Sequence, residues 1–164
     1  MIPFFGFSQS NPTIYFYESN DTINLFAFIG KKISIEEFNP NQKPTKIEFD
    51  SITGDSIIRR SYVMDNAFHA RYIILQPVFN NLKTDTIDFD VYDHYGRPAW
   101  ENFESVLLYI SKSKEGDHFF HQKYQYDELY KASNGVWKGK NGESIAELFQ
   151  KKKEEVFKAR GIFK

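Results

Sequence analysis

Short apolar runs separated by turn residues occupy the chain from residue 13 to residue 126. The turn residues recur at intervals of about ten, which is typical of antiparallel sheets. Gly30, Gly54, Gly116 and Asn80-Asn81 supply tight-turn chemistry, so we expect most neighbouring strands to pair as hairpins. The pattern predicts nine strands, at residues 13–17, 22–29, 32–38, 45–50, 56–63, 69–76, 85–92, 104–112 and 118–126.

Two of these runs indicate which faces of the sheet are buried. Apolar and polar residues alternate over 85–92, with Ile87, Phe89 and Val91 on one side, which predicts a strand with one face in water. Residues 106–110 are apolar at every position, which predicts a strand covered on both faces. Another element must therefore pack on the second face.

The C-terminal segment predicts the helix that covers this second face. Ser144 and Glu147 have the spacing of a capping box, and apolar residues follow at helical intervals. Gly161 fits a left-handed C-cap, so the helix is predicted over residues 144–160. The connecting residues 127–143 are predicted as a loop with a possible short hairpin.

These elements predict an all-β fold, an antiparallel β-sandwich (Ig-like or related) of about nine strands with one C-terminal helix packed on it. The alternative is a meander β-barrel with a lipocalin-like layout, which predicts an interior cavity for a small apolar ligand. The opening Gly-x-Trp motif of lipocalins is missing from this sequence. In either case residues 10–164 are expected to form a single domain.

Composition excludes several classes of site. The chain has no Cys but 17 Phe, 10 Tyr and 2 Trp, so aromatic packing must build the core and thiolate chemistry is excluded. A net charge of -1 argues against a nucleic-acid partner. We expect no cofactor and no metal, because the four His residues have no recognised ligand spacing. No apolar run reaches the roughly 18 residues of a membrane-spanning helix.

The first nine residues are apolar and uncharged, end in Phe7-Ser8-Gln9, and precede a polar segment. This stretch resembles the end of a signal peptide in Bacteroidetes-type exported proteins. The resemblance implies that residues 1–9 are a signal-peptide remnant and that the protein is periplasmic or secreted. The alternative is a first strand or tail that packs Phe4, Phe5 and Phe7 against the core.

Four triplets read Asp, then Ser or Thr, then Ile, and they resemble the O-glycosylation acceptor of the same bacterial group. The hydroxyl residues that this resemblance implies as acceptors are Thr22, Ser51, Ser56 and Thr86. Turn-to-strand junctions generate the same triplet without modification, because Asp favours turns and β-branched residues favour strands.

Two predicted inter-strand loops contain the candidate site residues. The first supplies Asp93, His94, Tyr95, Arg97 and Trp100, and the second supplies Asp65 and His69. If the loops meet at one end of the fold, Asp93 with His94 or His69 provides an acid–base pair. No Gly-x-Ser-x-Gly motif accompanies the pair, so a hydrolase using this loop is only an alternative.

Aromatic residues in the second half of the chain provide a further hypothesis, an exposed platform on which sugar rings stack. The candidate rings are Tyr95, Trp100, Phe103, Tyr109, Tyr124, Tyr126, Tyr130 and Trp137. The competing interpretation is that these rings are core. The expected function is an exported, non-catalytic binding module of the bacterial cell envelope with a glycan or protein partner. The alternative is a periplasmic inhibitor or immunity-type protein.

Overall fold

A computed structural model describes residues 15–42, 46–59 and 62–164. The predicted signal-peptide remnant lies outside these residues, as do residues 13–14 of the first predicted strand. The described strands are β1 Phe26–Phe38, β2 Lys46–Phe49, β3 Ser56–Arg59, β4 Asn66–Phe79, β5 Thr86–Asp93, β6 Ser105–Lys112, β7 Phe119–Lys131 and β8 Trp137–Gly139. They are followed by helix α1, Ile145–Lys152, and a π-helical turn, Lys153–Phe157.

One curved sheet contains six of these strands, in the order β5-β4-β1-β6-β7-β8. Neighbouring strands in this order are antiparallel. The sheet curls until β5 also meets β7, where Asp90 lies opposite Phe120 in a parallel pairing. Strands β2 and β3 form a separate two-stranded hairpin. The predicted all-β class with one C-terminal helix is confirmed.

Strand β6 separates the two parts of the core, as its uninterrupted apolar run predicts. Val106, Leu108 and Ile110 belong to the inner cluster enclosed by the curled sheet. Leu107 and Tyr109 belong to the outer cluster, which the C-terminal helix covers. The period of two along a strand therefore places alternate β6 side chains in different clusters.

Aromatic side chains fill the interior of the curled sheet. Tyr72 and Trp100 meet edge to face with ring centroids 5.6 Å apart, and Phe28 and Phe89 do so at 6.3 Å. Each such pair contributes about 0.5–1.5 kcal/mol beyond its burial of area. These rings occupy the space in which the lipocalin-like alternative predicts a ligand cavity.

Helix α1 begins at the predicted capping box. The Ser144 Oγ accepts a hydrogen bond from the Glu147 backbone N–H at 3.2 Å, and the Glu147 carboxylate accepts one from the Ser144 N–H at 2.7 Å. Phe149 and Phe157 are fully buried against the outer face of the sheet. Gly161 has a φ of +72° just after the helical segment, as a C-cap glycine requires.

The turn assignments are mostly confirmed. Gly54, Gly116 and Asn80 all have positive φ at the ends of strands. Asn80 is also buried, and its amide donates to the backbone carbonyls of residues 20, 23 and 25 while its Oδ1 accepts from the Asn20 N–H. This side chain fixes the segment that enters β1.

Several element boundaries differ from the prediction, and three of these differences affect how the strands pack or pair. Gly30 does not separate two strands but lies inside β1, where a Cβ would stand 2.9 Å from the Phe28 ring and 3.0 Å from the Tyr72 ring. Residues 15–17 are not in a strand, because only Glu18 forms a bridge, to Phe79. Strand β7 continues to Lys131 and pairs with β8, so the possible hairpin within residues 127–143 is present.

Candidate functional site

A bulge in β7 shapes the end of the sheet at which the predicted loops meet. Leu108 of β6 lies opposite Tyr126 and Ile110 lies opposite His121, so the four β7 residues 122–125 stand against a single residue of β6 and three of them are extra. Such bulges bend a strand and redirect its side chains. Tyr124 has a φ of +65°, which is unfavourable for an aromatic residue.

Side chains beneath the bulge hold its backbone in place. The His121 Nε2 lies 2.8 Å from the Gln125 carbonyl oxygen and donates to it. Arg160, which follows the C-terminal helix, donates from Nη2 to the Lys123 carbonyl oxygen at 2.9 Å and from Nη1 to the Gln122 Oε1 at 2.9 Å. The bulge is therefore tied both to its own strand and to the C-terminal segment.

The bulge brings Lys123 to the two predicted loops. Lys123 Nζ donates to Asp65 Oδ2 at 2.6 Å, and His94 Nδ1 lies 3.3 Å from Asp65 Oδ1. Hydrogen bonding from Lys123, with a smaller contribution from His94, holds the pKa of the Asp65 carboxyl below its usual value. The two loops therefore meet, and they do so through Asp65 and His94.

An exposed pair of tyrosines lies beside this charged cluster. The Tyr95 ring is 88% exposed, and its centroid is 6.0 Å from that of Tyr124, which is 42% exposed. The Lys123 ammonium stands 5.2 Å from the Tyr124 ring centroid, and the His94 ring meets Tyr95 edge to face. Two adjoining ring faces are therefore presented to solvent.

The tyrosines border a cavity of about 230 Å³. We call it the tyrosine site, and its lining residues are Val91, Tyr92, Asp93, Tyr95, Arg97, Ala99, Trp100, His121, Tyr124 and Tyr126. Its buried lining residues are Val91, Trp100 and His121. Burial lowers the pKa of His121 to about 4, so its imidazole is neutral at pH 7.

Charged groups at the tyrosine site are already paired within the chain. Arg97 forms a two-pronged ion pair with Glu101, at 2.7 and 2.6 Å, and donates to the Ile35 carbonyl oxygen at 3.0 Å. The Asp93 Oδ1 accepts from the Tyr95 backbone N–H at 2.8 Å. Both side chains therefore form hydrogen bonds within the chain that hold the loop.

The acid–base hypothesis needs correction, because Asp93 pairs with neither histidine. His94 contacts Asp65, and His69 Nδ1 lies 2.7 Å from Asp90 Oδ1. His69 also stacks on Phe38 with ring centroids 3.9 Å apart, so it does not belong to the tyrosine site. Among the described residues, His94 contacts no serine or threonine hydroxyl that it could activate.

The two tryptophans occupy different environments. Trp100 is only 2% exposed and packs on His121 at 4.9 Å, so it offers no face for stacking at the surface. Trp137 is half-buried and lines a different cavity, which shares no residue with the tyrosine site. Tyr95, in contrast to both tryptophans, is largely exposed.

Sequence reasoning missed Lys123 and the supporting role of His121. Both lie within a predicted strand, and no residue nearby indicates a bulge. The bulge depends on the partner strand and on Arg160, which is distant in sequence.

The four candidate acceptor hydroxyls are all exposed. Ser51 lies in the turn between β2 and β3, and Ser56 and Thr86 are the first residues of β3 and β5. Thr22 lies in a turn, and its hydroxyl donates to the Asn20 Oδ1 at 2.7 Å. These positions agree equally with modification and with the turn-to-strand origin of the triplets.

The described residues contain neither a metal-binding cluster nor a membrane-spanning helix. No group of three or more His, Asp or Glu side chains there is arranged to hold a metal ion. No helix in the same ranges is long and apolar enough to cross a membrane.

Comparisons with models of protein families, with curated proteins and with solved structures gave no match.

Proposed function

We propose that this protein is an exported, non-catalytic binding module of the bacterial cell envelope that holds a sugar ring at the tyrosine site. The observation that carries the proposal is the pair of exposed rings, Tyr95 and Tyr124, at the border of a cavity. A sugar stacks its C–H face on such a ring, and the neighbouring cavity accepts a substituent of the sugar.

The polar side chains at and beside the tyrosine site are already hydrogen-bonded within the chain, which supports a role in ligand binding and not in catalysis. Asp65, Arg97 and Asp93 are held by Lys123, by Glu101 and by backbone, respectively. Hydrogen bonding lowers the pKa of Asp65 and raises that of Arg97, whereas proton transfer needs a positioned group with a pKa near the working pH. The groups so held are well suited to keep Tyr95 in place.

Export is supported by the sequence features described above. The Phe-rich start resembles a signal-peptide end, and the four candidate acceptor hydroxyls are exposed. Intact-mass and N-terminal analysis of protein from the periplasm and medium of the native host tests both points. We expect an N-terminus near residue 10 and added glycan mass. A cytoplasmic chain with the mass of the bare polypeptide contradicts export and modification together.

Binding is tested by retention on insoluble polysaccharides, with chitin, xylan and peptidoglycan sacculi as the probes. We expect the full chain to be retained on at least one probe and Tyr95→Ala to weaken retention about fivefold, because an aromatic contact is worth about 1 kcal/mol. Tyr130→Ala is the matched control, since Tyr130 is 48% exposed but does not line the cavity. Absence of retention, or equal retention of Tyr95→Ala, overturns the proposal.

A second candidate, an inhibitor of a secreted hydrolase, is favoured by the β2–β3 hairpin. Within the part of the chain that the structure describes, its strands pair only with each other, and Phe49 and Ile52 are 76% and 92% exposed. An inhibition assay against a secreted hydrolase encoded beside this gene tests the idea. Inhibition that is lost in Phe49→Ser but kept in Tyr95→Ala supports this function instead of the first.

A further inference from the structure

A second cavity, of about 510 Å³, opens on the face of the sheet that α1 covers only in part. We call it the lysine groove, and its lining residues are Tyr15, Lys31, Leu75, Gln76, Pro77, Glu104, Ser105, Lys131, Gly135 and Trp137. Ser105 and Lys131 lie two residues from Leu107 and Leu129, which pack beneath the helix. The groove is therefore the part of this face that the helix leaves open.

The polar side chains of the lysine groove lack partners, unlike those of the tyrosine site. Within the described residues, the side chains of Lys31, Gln76, Glu104 and Ser105 make no hydrogen bond or ion pair. Other charges on the same sheet are paired closely, as between Arg71 and Asp88 at 2.7 Å. Unpaired donors that converge on one cavity are available to a ligand.

The aromatic component of the groove is Trp137. It lies directly opposite Lys131 in the β7–β8 pairing, and the Lys131 ammonium stands 5.3 Å from the Trp137 ring centroid. Tyr15, which is 60% exposed, adds a second ring. A ring face next to an ammonium group suits a ligand that combines an apolar face with negative charge.

We propose that the lysine groove binds a sugar ring that carries a carboxylate. The two ammonium groups of Lys31 and Lys131 outnumber the single carboxylate of Glu104 along the lining, so the groove favours an anion. Trp137 stacks on the C–H face of the sugar, and Gln76 and Ser105 bond to its hydroxyls. This site is separate from the tyrosine site, and its ligand class does not depend on the function proposed there.

The test is isothermal titration calorimetry of the full chain with a galacturonic acid trisaccharide and with its methyl ester. The ester keeps the rings and hydroxyls but removes the charge. We expect the acid to bind at least about fivefold more tightly than the ester, with a preference that falls at high salt. Equal affinities for acid and ester, or no binding of the acid, overturn the proposal.

Variants locate the binding. Lys31→Gln and Lys131→Gln should each weaken binding of the acid about fivefold and leave binding of the ester unchanged. Lys114→Gln is the matched control, because Lys114 follows the far end of β6, about 20 Å from Ser105 at 3.3 Å per residue. An equal loss in Lys114→Gln shows non-specific attraction and overturns the assignment.

A spectroscopic signal identifies the ring involved. The chain has two tryptophans, so its NMR spectrum contains two indole N–H resonances. The acid should shift the resonance of half-buried Trp137 and leave that of buried Trp100 unmoved, and Tyr95→Ala should not alter this response. A shift of the Trp100 resonance alone would place the ligand elsewhere and refute binding in the lysine groove.

Discussion

His121 makes the stability of this fold depend on pH between about 6.5 and 4. The imidazole is 5% exposed, packs on Trp100 and donates to the Gln125 carbonyl. Burial lowers its pKa from 6.5 to about 4; the bond to Gln125 opposes this effect, and the positive charges of Arg160 and Lys152 add to it. Protonation would place a cation in the interior of the curled sheet.

The size of the change in the free energy of unfolding with pH follows from the linkage between protonation and folding. Above pH 6.5 the imidazole is neutral in both the folded and the unfolded chain and contributes no pH dependence. Below pH 6.5 the unfolded chain binds a proton that the folded chain excludes until about pH 4. At about 1.4 kcal/mol per pH unit, this interval lowers the free energy of unfolding by about 3 kcal/mol.

Carboxyl groups with a shifted pKa should act at different pH or in the opposite direction. The pKa values of Asp65, Asp88 and Glu101 are lowered, chiefly by hydrogen bonds from Lys123, Arg71 and Arg97, so the stability that these pairs contribute is lost at more acidic pH. Burial raises the pKa of Asp127, so its protonation on acidification relieves a cost of folding. Neither effect produces the decline in the free energy of unfolding below pH 6.5 that is expected from His121.

Urea unfolding followed by circular dichroism at pH 7.5, 6.5, 5.5 and 4.5 measures the effect. His121→Gln keeps an amide donor for the Gln125 carbonyl and does not titrate, so its unfolding free energy should change little across this range. His118→Gln removes an imidazole whose side chain is 45% exposed and should keep the wild-type slope. A flat wild-type profile, or a slope that survives in His121→Gln, refutes the reasoning.

Three further changes test the fold. Gly30→Ala should lower the free energy of unfolding by about 1–3 kcal/mol in urea titrations, because the new methyl group meets the rings of Phe28 and Tyr72 within 3.0 Å; wild-type stability would contradict this packing. Ser144→Ala should lower the free energy of unfolding by about 1 kcal/mol in the same assay, whereas Ser144→Asp should keep the cap. Equal losses in the two variants would show that the cap is unimportant. Asn80→Gly tolerates the φ of +51° but loses the four hydrogen bonds of the side chain, so the free energy of unfolding should fall by about 2–4 kcal/mol. An unchanged free energy of unfolding would refute the role of this side chain.

Local patterns in the sequence predicted those elements whose cause is local. The capping box of Ser144, the alternation in β5 and the apolar run of β6 each require only neighbouring residues to be recognised. Gly30 was misinterpreted because glycine has two uses in sheets. It was predicted to turn the chain, but it is required by the close approach of Phe28 and Tyr72, and Tyr72 is distant in sequence.

The candidate site was predicted only in part, because some of its contacts depend on residues that are distant in sequence. Both loops are delimited by turn residues and could be recognised from the sequence, but their contact at Asp65 and His94 could not. Which acid pairs with which histidine depends on strand register, and the sequence does not specify it. Tyr124 was one of eight candidate rings, and only the bulge in β7 distinguishes it from Tyr126, which packs against the inner core.

The bulge also explains why an unfavourable backbone conformation persists at Tyr124. A regular β7 would continue the pairing with β6 and place its side chains by simple alternation. The extra residues instead direct Lys123 to Asp65 and Tyr124 to Tyr95, at a cost of order 1 kcal/mol for the positive φ. The hydrogen bonds from His121 and Arg160 offset that cost. A strained residue that buried and distant groups hold beside an exposed ring pair supports our proposal that these rings form a preorganised binding surface.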